Sequence, residues 1–297
     1  MHVNIATAPC SWGVWYTDGR PSGTPYSTFL DQASAAGYNA LELGPVGYLP
    51  TDPAKLAFEL EARSLSVCAG TACYALDKAS SLADFRSELD KLCGLLVEFK
   101  APYIVVMDAS DIGYFGERKK YMSRESRLKN IGIVGEMAKL TLHNYGINTI
   151  FHPHIGTLFE YENEIVELID LADVNLCFDT GHHAYSNGGF EKGDRSVLDF
   201  MLKYPERISY LHFKNVDGAI RKRVDVEGLN SSQAFDMNVM CDLEDGIIDF
   251  VELKKVLEKI NYNGIAVIEQ DMPRATTEQA FDTAKRNLQY LRGISIL

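Results

Sequence analysis

Four short apolar runs in the second half of the chain end in residues that can bind a metal or move a proton. Ile150-Phe151 leads into His152-Pro153-His154-Ile155-Gly156-Thr157, and Cys177-Phe178 into Asp179-Thr180-Gly181-His182-His183. Tyr210-Leu211 leads into His212-Phe213-Lys214, and Val267-Ile268 into Glu269-Gln270-Asp271. Five of the seven histidines fall in these endings. A lone His or Glu at a strand end is more often a satisfied polar residue than a ligand. Its recurrence at four successive endings points instead to one shared site, with His152, Asp179, His212 and Glu269 as metal ligands. Imidazole mixed with carboxylate suits Mn2+, Co2+, Fe2+ or Zn2+ better than Mg2+, which favours all-oxygen shells. A divalent cation is therefore expected, Mn2+ or Co2+ first, with Zn2+ or Fe2+ as alternatives.

The residues beside these ligands carry the next expectations. His152 and His154 are two apart and would face the same side of a strand, so the spacing leaves open which of them touches the metal. His182 follows Asp179 through a Thr-Gly turn that would bring its ring over the pocket as an acid-base group. Lys214 shares a face with His212, and a charge there is costly unless used, so it is expected to bind substrate or act in catalysis. Glu42, in Leu41-Glu42-Leu43-Gly44-Pro45, would enter from the opposite side and contact substrate. Trp12, Trp15 and Tyr48 would form an apolar wall, with Trp12 a substrate contact.

Something must hold four strand ends at one height. Apolar runs rich in β-branched residues recur down the chain, each followed by a segment with helical spacing. Eight strands are predicted, at Val3–Ala8, Ala40–Leu43, Ser66–Gly70, Tyr103–Met107, Asn148–Phe151, Asn175–Phe178, Ser209–Phe213 and Ile265–Ile268. The helices fall at Tyr26–Ala36, Pro53–Ser64, Leu82–Phe99, Ser123–Tyr145, Asn163–Leu171, Val197–Tyr204, Phe250–Ile260 and Thr277–Leu291. Gly37 and Gly146 follow periodic runs where a left-handed residue ends a helix, and Asp249 and the Thr51-Asp52-Pro53 stretch mark helix starts. This alternation predicts an α/β (β/α)8 TIM barrel, a single domain over 1–297, whose site lies at the C-terminal ends of the strands. A doubly wound nucleotide fold is disfavoured, because the first strand runs into Pro9-Cys10-Ser11-Trp12 rather than a Gly-rich turn. Residues 215–246 read as one long irregular loop covering the site.

Composition excludes other classes. With 46% hydrophobic and 24% charged residues, the chain is ordinary for a globular protein, and it has no apolar run of membrane-spanning length. A net charge of -12 disfavours attraction to nucleic acid or an anionic membrane. The runs Arg118-Lys119-Lys120 and Arg221-Lys222-Arg223 read as solvated faces, although the second follows a candidate active-site strand and makes Arg223 a candidate substrate contact. The N-terminus starts directly in a strand-like stretch without a signal core, so cytoplasmic residence is expected. The six cysteines form no Cys-x-x-Cys pair and read as reduced thiols, mostly core filler. No Gly-x-Ser-x-Gly elbow, phosphate-binding loop or His-Glu-x-x-His helix is present.

Asp179-Thr180-Gly181-His182 and His212-x-Lys214 resemble signatures of the xylose-isomerase-like barrels, the metal-dependent sugar isomerases, epimerases and dehydratases. Within that superfamily the chain is most similar to the inosose dehydratases of inositol catabolism. The likeness spans nearly the whole chain, through Ala8-Pro9-Cys10-Ser11-Trp12-Gly13, Gly37 to Pro45, Gly47-Tyr48-Leu49-Pro50, His152 to Thr157 and Asp245 to Phe250. Many superfamily members place Glu where this chain has His152, and the departure follows the inosose dehydratase pattern. The resemblance implies a lyase that eliminates water from 2-keto-myo-inositol to give a trihydroxycyclohexane-dione, and a homo-oligomer. Glu269, His154 or His182 would take the proton, and His182 or Lys214 would assist hydroxide departure. An isomerase or epimerase using the same enolate is the alternative reading, and a non-catalytic cyclitol-binding barrel a third.

Overall fold

A computed structural model describes residues 1–110 and 123–297. The basic run Arg118–Lys120 lies outside the described residues. Eight parallel strands close into a barrel: β1 (His2–Thr7), β2 (Ala40–Glu42), β3 (Ser66–Tyr74), β4 (Tyr103–Asp108), β5 (Asn148–Phe151), β6 (Asn175–Asp179), β7 (Ile208–Phe213) and β10 (Asn263–Ile268). Sequence neighbours pair around the ring, and β10 closes it against β1. Each predicted strand is present, shifted at its ends by a few residues, with β3 running on to Tyr74.

Strand periodicity divides the side chains between two cores. Ala6, Val105, Ile150, Cys177, Tyr210 and Val267 point inward and fill the barrel. Their alternates, such as Phe151, Phe178, Leu211, Phe213 and Ile268, point outward and join the layer beneath the helices. That layer is covered by α1 (Tyr26–Ala36), α2 (Pro53–Glu61), α3 (Arg86–Glu98), α4 (Arg124–Tyr145), α5 (Glu162–Ala172), α7 (Ser196–Lys203), α10 (Phe250–Lys259) and α11 (Thr277–Gly293). The predicted stops hold: Gly37 and Gly146 take φ of 102° and 69° at the ends of α1 and α4. At the starts, Asp249 caps α10 and Asp52 caps α2.

Two expectations need correction. The turn after Asp179 is the first turn of an additional helix, α6 (Thr180–Asn187), which starts directly from β6. Residues 215–246 are not an irregular loop. They hold α8 (Gly218–Glu227) and α9 (Ser231–Asp236), flanked by the antiparallel ribbon β8 (Asn215–Val216) and β9 (Met240–Cys241). Short, polar helices with weak apolar periodicity concealed this order.

One buried side chain ties together both ends of the insertion. Asn215 is fully buried; its Nδ2 donates to the carbonyls of Leu243 and Ile248, and its Oδ1 accepts from Val216 N and Ile248 N. No helix among the described residues is long and apolar enough to cross a membrane. Since each buried polar group left unpaired costs about 1–3 kcal/mol, Asn215→Ala should lower the stability by roughly 3 kcal/mol or more, read from the urea midpoint.

Candidate metal centre and active site

The period of two carries chemistry upward from the barrel interior at the four strand ends. Above Ile150 stand His152 and then His154; above Cys177, Asp179; above Tyr210, His212 and Lys214; above Val267, Glu269 and Asp271. Register aligns them: Asp179 pairs with His212 across β6 and β7, and Glu269 N donates to Phe213 O. His152, Asp179, His212 and Glu269 each offer one ligand atom, and these atoms lie within 4.8 Å of one another. All four residues are buried.

The local chain explains the orientation of two candidate ligands, Asp179 and His212. Asp179 caps α6: its Oδ1 accepts from His182 N at 2.8 Å, which leaves Oδ2 turned into the site. Gly181 allows this turn to approach β7, because a Cβ there would lie 2.4 Å from Lys214 Cβ. His212 is fixed by Glu42, which accepts from its Nε2 at 2.8 Å. That bond leaves His212 Nδ1 facing Glu269 Oε2 at 3.0 Å and Asp179 Oδ2 at 3.6 Å. Glu42 therefore supports a ligand as well as lining the cavity.

The donors fit a cation. His152 Nδ1 is buried without a hydrogen-bond partner, and Asp179 Oδ2 and His212 Nδ1 are buried facing charged neighbours rather than water. With a neutral His212, a nitrogen lone pair would face two carboxylates, an arrangement that positive charge must relieve. Burial opposes charging His212, yet Cys177, Glu269 and Glu42 favour it, and its pKa is held well above the usual value. A divalent cation supplies the same charge, and two imidazoles with two carboxylates suit the transition metals expected above.

Lys214 is the full cation already present. Its Nζ lies 2.8 Å from Glu269 Oε2, 2.9 Å from Asp271 Oδ2 and 3.1 Å from Asp179 Oδ2. Burial works to discharge it, but these carboxylates outweigh burial and hold its pKa well above normal. In return Asp179 is lowered to about 2, the pull of Lys214 and His212 overcoming burial. Lys214 Nζ also lies 3.0 Å from His182 Nε2 and donates to it. Burial drives the pKa of His152, His154 and His182 down. The rings of His154 and His182 stand 3.9 Å apart, so His154, His182 and Lys214 form one contiguous acid-base group.

A cavity of about 600 Å3 opens above these residues. Glu42, His152, His154, His212, Lys214, Glu269 and Asp271 form its polar floor, and the β1–β4 half adds Trp15, Tyr16, Val46, Leu92 and Met107 interspersed with Thr71, Glu88 and Lys91. Asp179 and His182 do not line it and contact it through Lys214 and His154.

Three expected site residues lie elsewhere. Trp12 is fully buried, its ring edge-on to Phe29 at 4.9 Å and its Nε1 bonded to Gln32, so it is core rather than substrate wall. Tyr48 is buried too, donating to Thr24 O. Arg223 sits on the exposed face of α8, paired with Glu227 one turn on, and does not reach the cavity. Conversely, Cys10 and Cys73 line the cavity, Cys10 while also packing against the barrel interior. His183, one of the five clustered histidines, turns away to pack on Phe178 and Phe200. Asp271 went unassigned in the sequence, although its spacing from Glu269 repeats that of Lys214 from His212.

A family model described as the xylose isomerase-like TIM barrel matches residues 30–294. The chain belongs to that family. Among proteins of known name, it is 29% identical to an inosose dehydratase from Bacillus licheniformis, over 88% of each chain. Among the solved structures that share its fold are the following two. One is a D-allulose 3-epimerase from Methylomonas sp. in complex with D-allulose, with TM-score 0.69 and 17% identity over 98% of this chain and 97% of that one. The other is the IOLI protein with a binding zinc atom, with TM-score 0.71 and 13% identity over 99% and 98%.

Loss of a carboxylate that orients a ligating imidazole costs about 10–100-fold in metal affinity. Glu42→Gln should therefore weaken Co2+ binding by that factor, measured by calorimetric titration, without unfolding the barrel.

Proposed function

We propose that the chain is a divalent-metal-dependent hydro-lyase that removes water from 2-keto-myo-inositol to give a trihydroxycyclohexane-dione. Two observations support the reading: the chain is similar to an inosose dehydratase over 88% of both lengths, and its acid-base group adjoins the four candidate ligands. Mn2+ or Co2+ is the expected cation, and the zinc in the IOLI barrel supports a divalent metal in this fold.

The substrate is a ketone with a hydrogen on the neighbouring carbon and a hydroxyl one carbon further on. Removing that hydrogen as a proton gives an enolate, which expels the hydroxyl once the leaving oxygen is protonated. A divalent cation held by His152, Asp179, His212 and Glu269 would act as the Lewis acid that stabilises negative charge on the ketone oxygen. His154 Nδ1 donates to Ile155 O at 2.8 Å, which places the lone pair of the neutral ring on Nε2. Burial keeps that ring neutral, so His154 is in the state a base requires. Lys214 is protonated and acts as the acid: its Nζ gives a proton to the departing hydroxyl, the C–O bond breaks and water forms. A proton passed from His154 back to Lys214 through His182 restores both groups. The apolar residues of the cavity wall meet the C–H faces of the ring.

Epimerisation would use the same enolate but needs donors on opposite faces of one carbon. The contiguous His154, His182 and Lys214 instead suit proton removal and hydroxyl departure on one face.

The test is metal-depleted protein with 2-keto-myo-inositol, followed by mass and absorbance, with and without added Mn2+ or Co2+. Metal-dependent loss of one water is expected; deuterium uptake from D2O without loss of water would replace the reading with an epimerase, and no change would reject the substrate. Loss of general-base catalysis should make His154→Gln about 10²–10⁴-fold slower in kcat with Co2+ binding retained. Loss of Co2+ in that variant would instead move the β5 ligand from His152 to His154.

A further inference from the structure

The metal carboxylates and Lys214 compete for the same atoms. Asp179 Oδ1 is taken by the cap of α6, so only Oδ2 remains for a cation, and Lys214 Nζ stands 3.1 Å from it. The ammonium is also 2.8 Å from Glu269 Oε2. A divalent cation and an ammonium at such separations from shared oxygens repel one another strongly in a buried site. Lys214 is 2% exposed, so water screens little of this repulsion.

One carboxylate in contact with Lys214 belongs to none of the candidate ligand sets found among the described residues. It is Asp271, 6% exposed, whose Oδ2 lies 2.9 Å from Nζ. Its position two residues beyond Glu269 aims it at the same interior. The same Oδ2 is 3.9 Å from His182 Nε2, so an ammonium held there keeps its neighbour in the acid-base group.

We infer that Asp271 is a positioning residue that draws the Lys214 ammonium off Asp179 and Glu269, leaving those carboxylates to the metal and the ammonium beside His182. The inference rests on the reading of His152, Asp179, His212 and Glu269 as a divalent-cation site. Without Asp271, the ammonium has only the metal carboxylates to pair with and becomes an internal competitor of the cation.

Calorimetric Co2+ titration of metal-depleted protein tests this with wild type, Asp271→Asn, Lys214→Met and the double variant. Asp271→Asn should weaken Co2+ binding by about tenfold or more, within the range known for residues that support a metal site. Lys214→Met should bind Co2+ at least as tightly as wild type. In the Lys214→Met background, adding Asp271→Asn should change affinity by no more than about twofold, the scatter expected of uncoupled sites. Unchanged affinity in Asp271→Asn overturns the inference. An equal loss in both backgrounds also overturns it, by making Asp271 a ligand or a structural prop. If Asp271→Asn does not fold, weaker binding in Lys214→Met alone is contradictory. A wild type that binds no Co2+ refutes the metal site itself, a result distinct from all of these.

Discussion

Asp179, Glu269 and Asp271 are buried at one end of a barrel within reach of a single lysine, and Glu42 is buried beside His212. Carboxylates removed from water ionise only where positive charge compensates them, and Lys214 compensates part. The remainder is what a divalent cation offers, and the other features of the site follow from placing the two cations apart. His212 is pinned from behind by Glu42 so that its Nδ1 faces the carboxylates. Asp179 spends one oxygen on a helix cap and presents the other. Asp271 supplies the lysine with a partner outside the ligand set.

The barrel makes this arrangement inexpensive to build. A parallel strand repeats its inward face every second residue, so each strand end stacks its polar residues above a floor of apolar ones. Tyr210, His212 and Lys214 climb one strand, and Val267, Glu269 and Asp271 its neighbour. Closure of the ring brings β5, β6, β7 and β10 to one height, and the β1–β4 half adds apolar residues together with Glu42, Thr71, Glu88 and Lys91 to the cavity wall.

Most of this was legible in the sequence because strand periodicity and barrel topology are local signals. The eight strands, the four ligand candidates and the inward face of Lys214 all follow from apolar runs and a spacing of two. What stayed hidden depended on three-dimensional context. Trp12 and Trp15 differ by three residues, yet only Trp15 reaches the cavity, because the 3-10 turn over Pro9–Trp12 directs Trp12 onto Phe29. Arg223 looked close to β7, but it rides on a helix whose polar pattern gave no sign of helical order. α6 was read as a turn because Thr-Gly-His-His carries no apolar stripe; its start is fixed by the Asp179 cap instead. Asp271 obeyed the spacing rule that identified Lys214 and was overlooked only because Glu269 already supplied an acid on that strand.

The central claim is that His152, Asp179, His212 and Glu269 jointly hold a divalent cation. Anomalous diffraction from crystals grown with Mn2+, recorded on both sides of the manganese edge, tests it most directly. The account predicts one strong peak within bonding distance of all four residues, with Lys214 Nζ beside Asp271. A peak among His152, His154 and His182 instead, or no peak at any strand end, would contradict it.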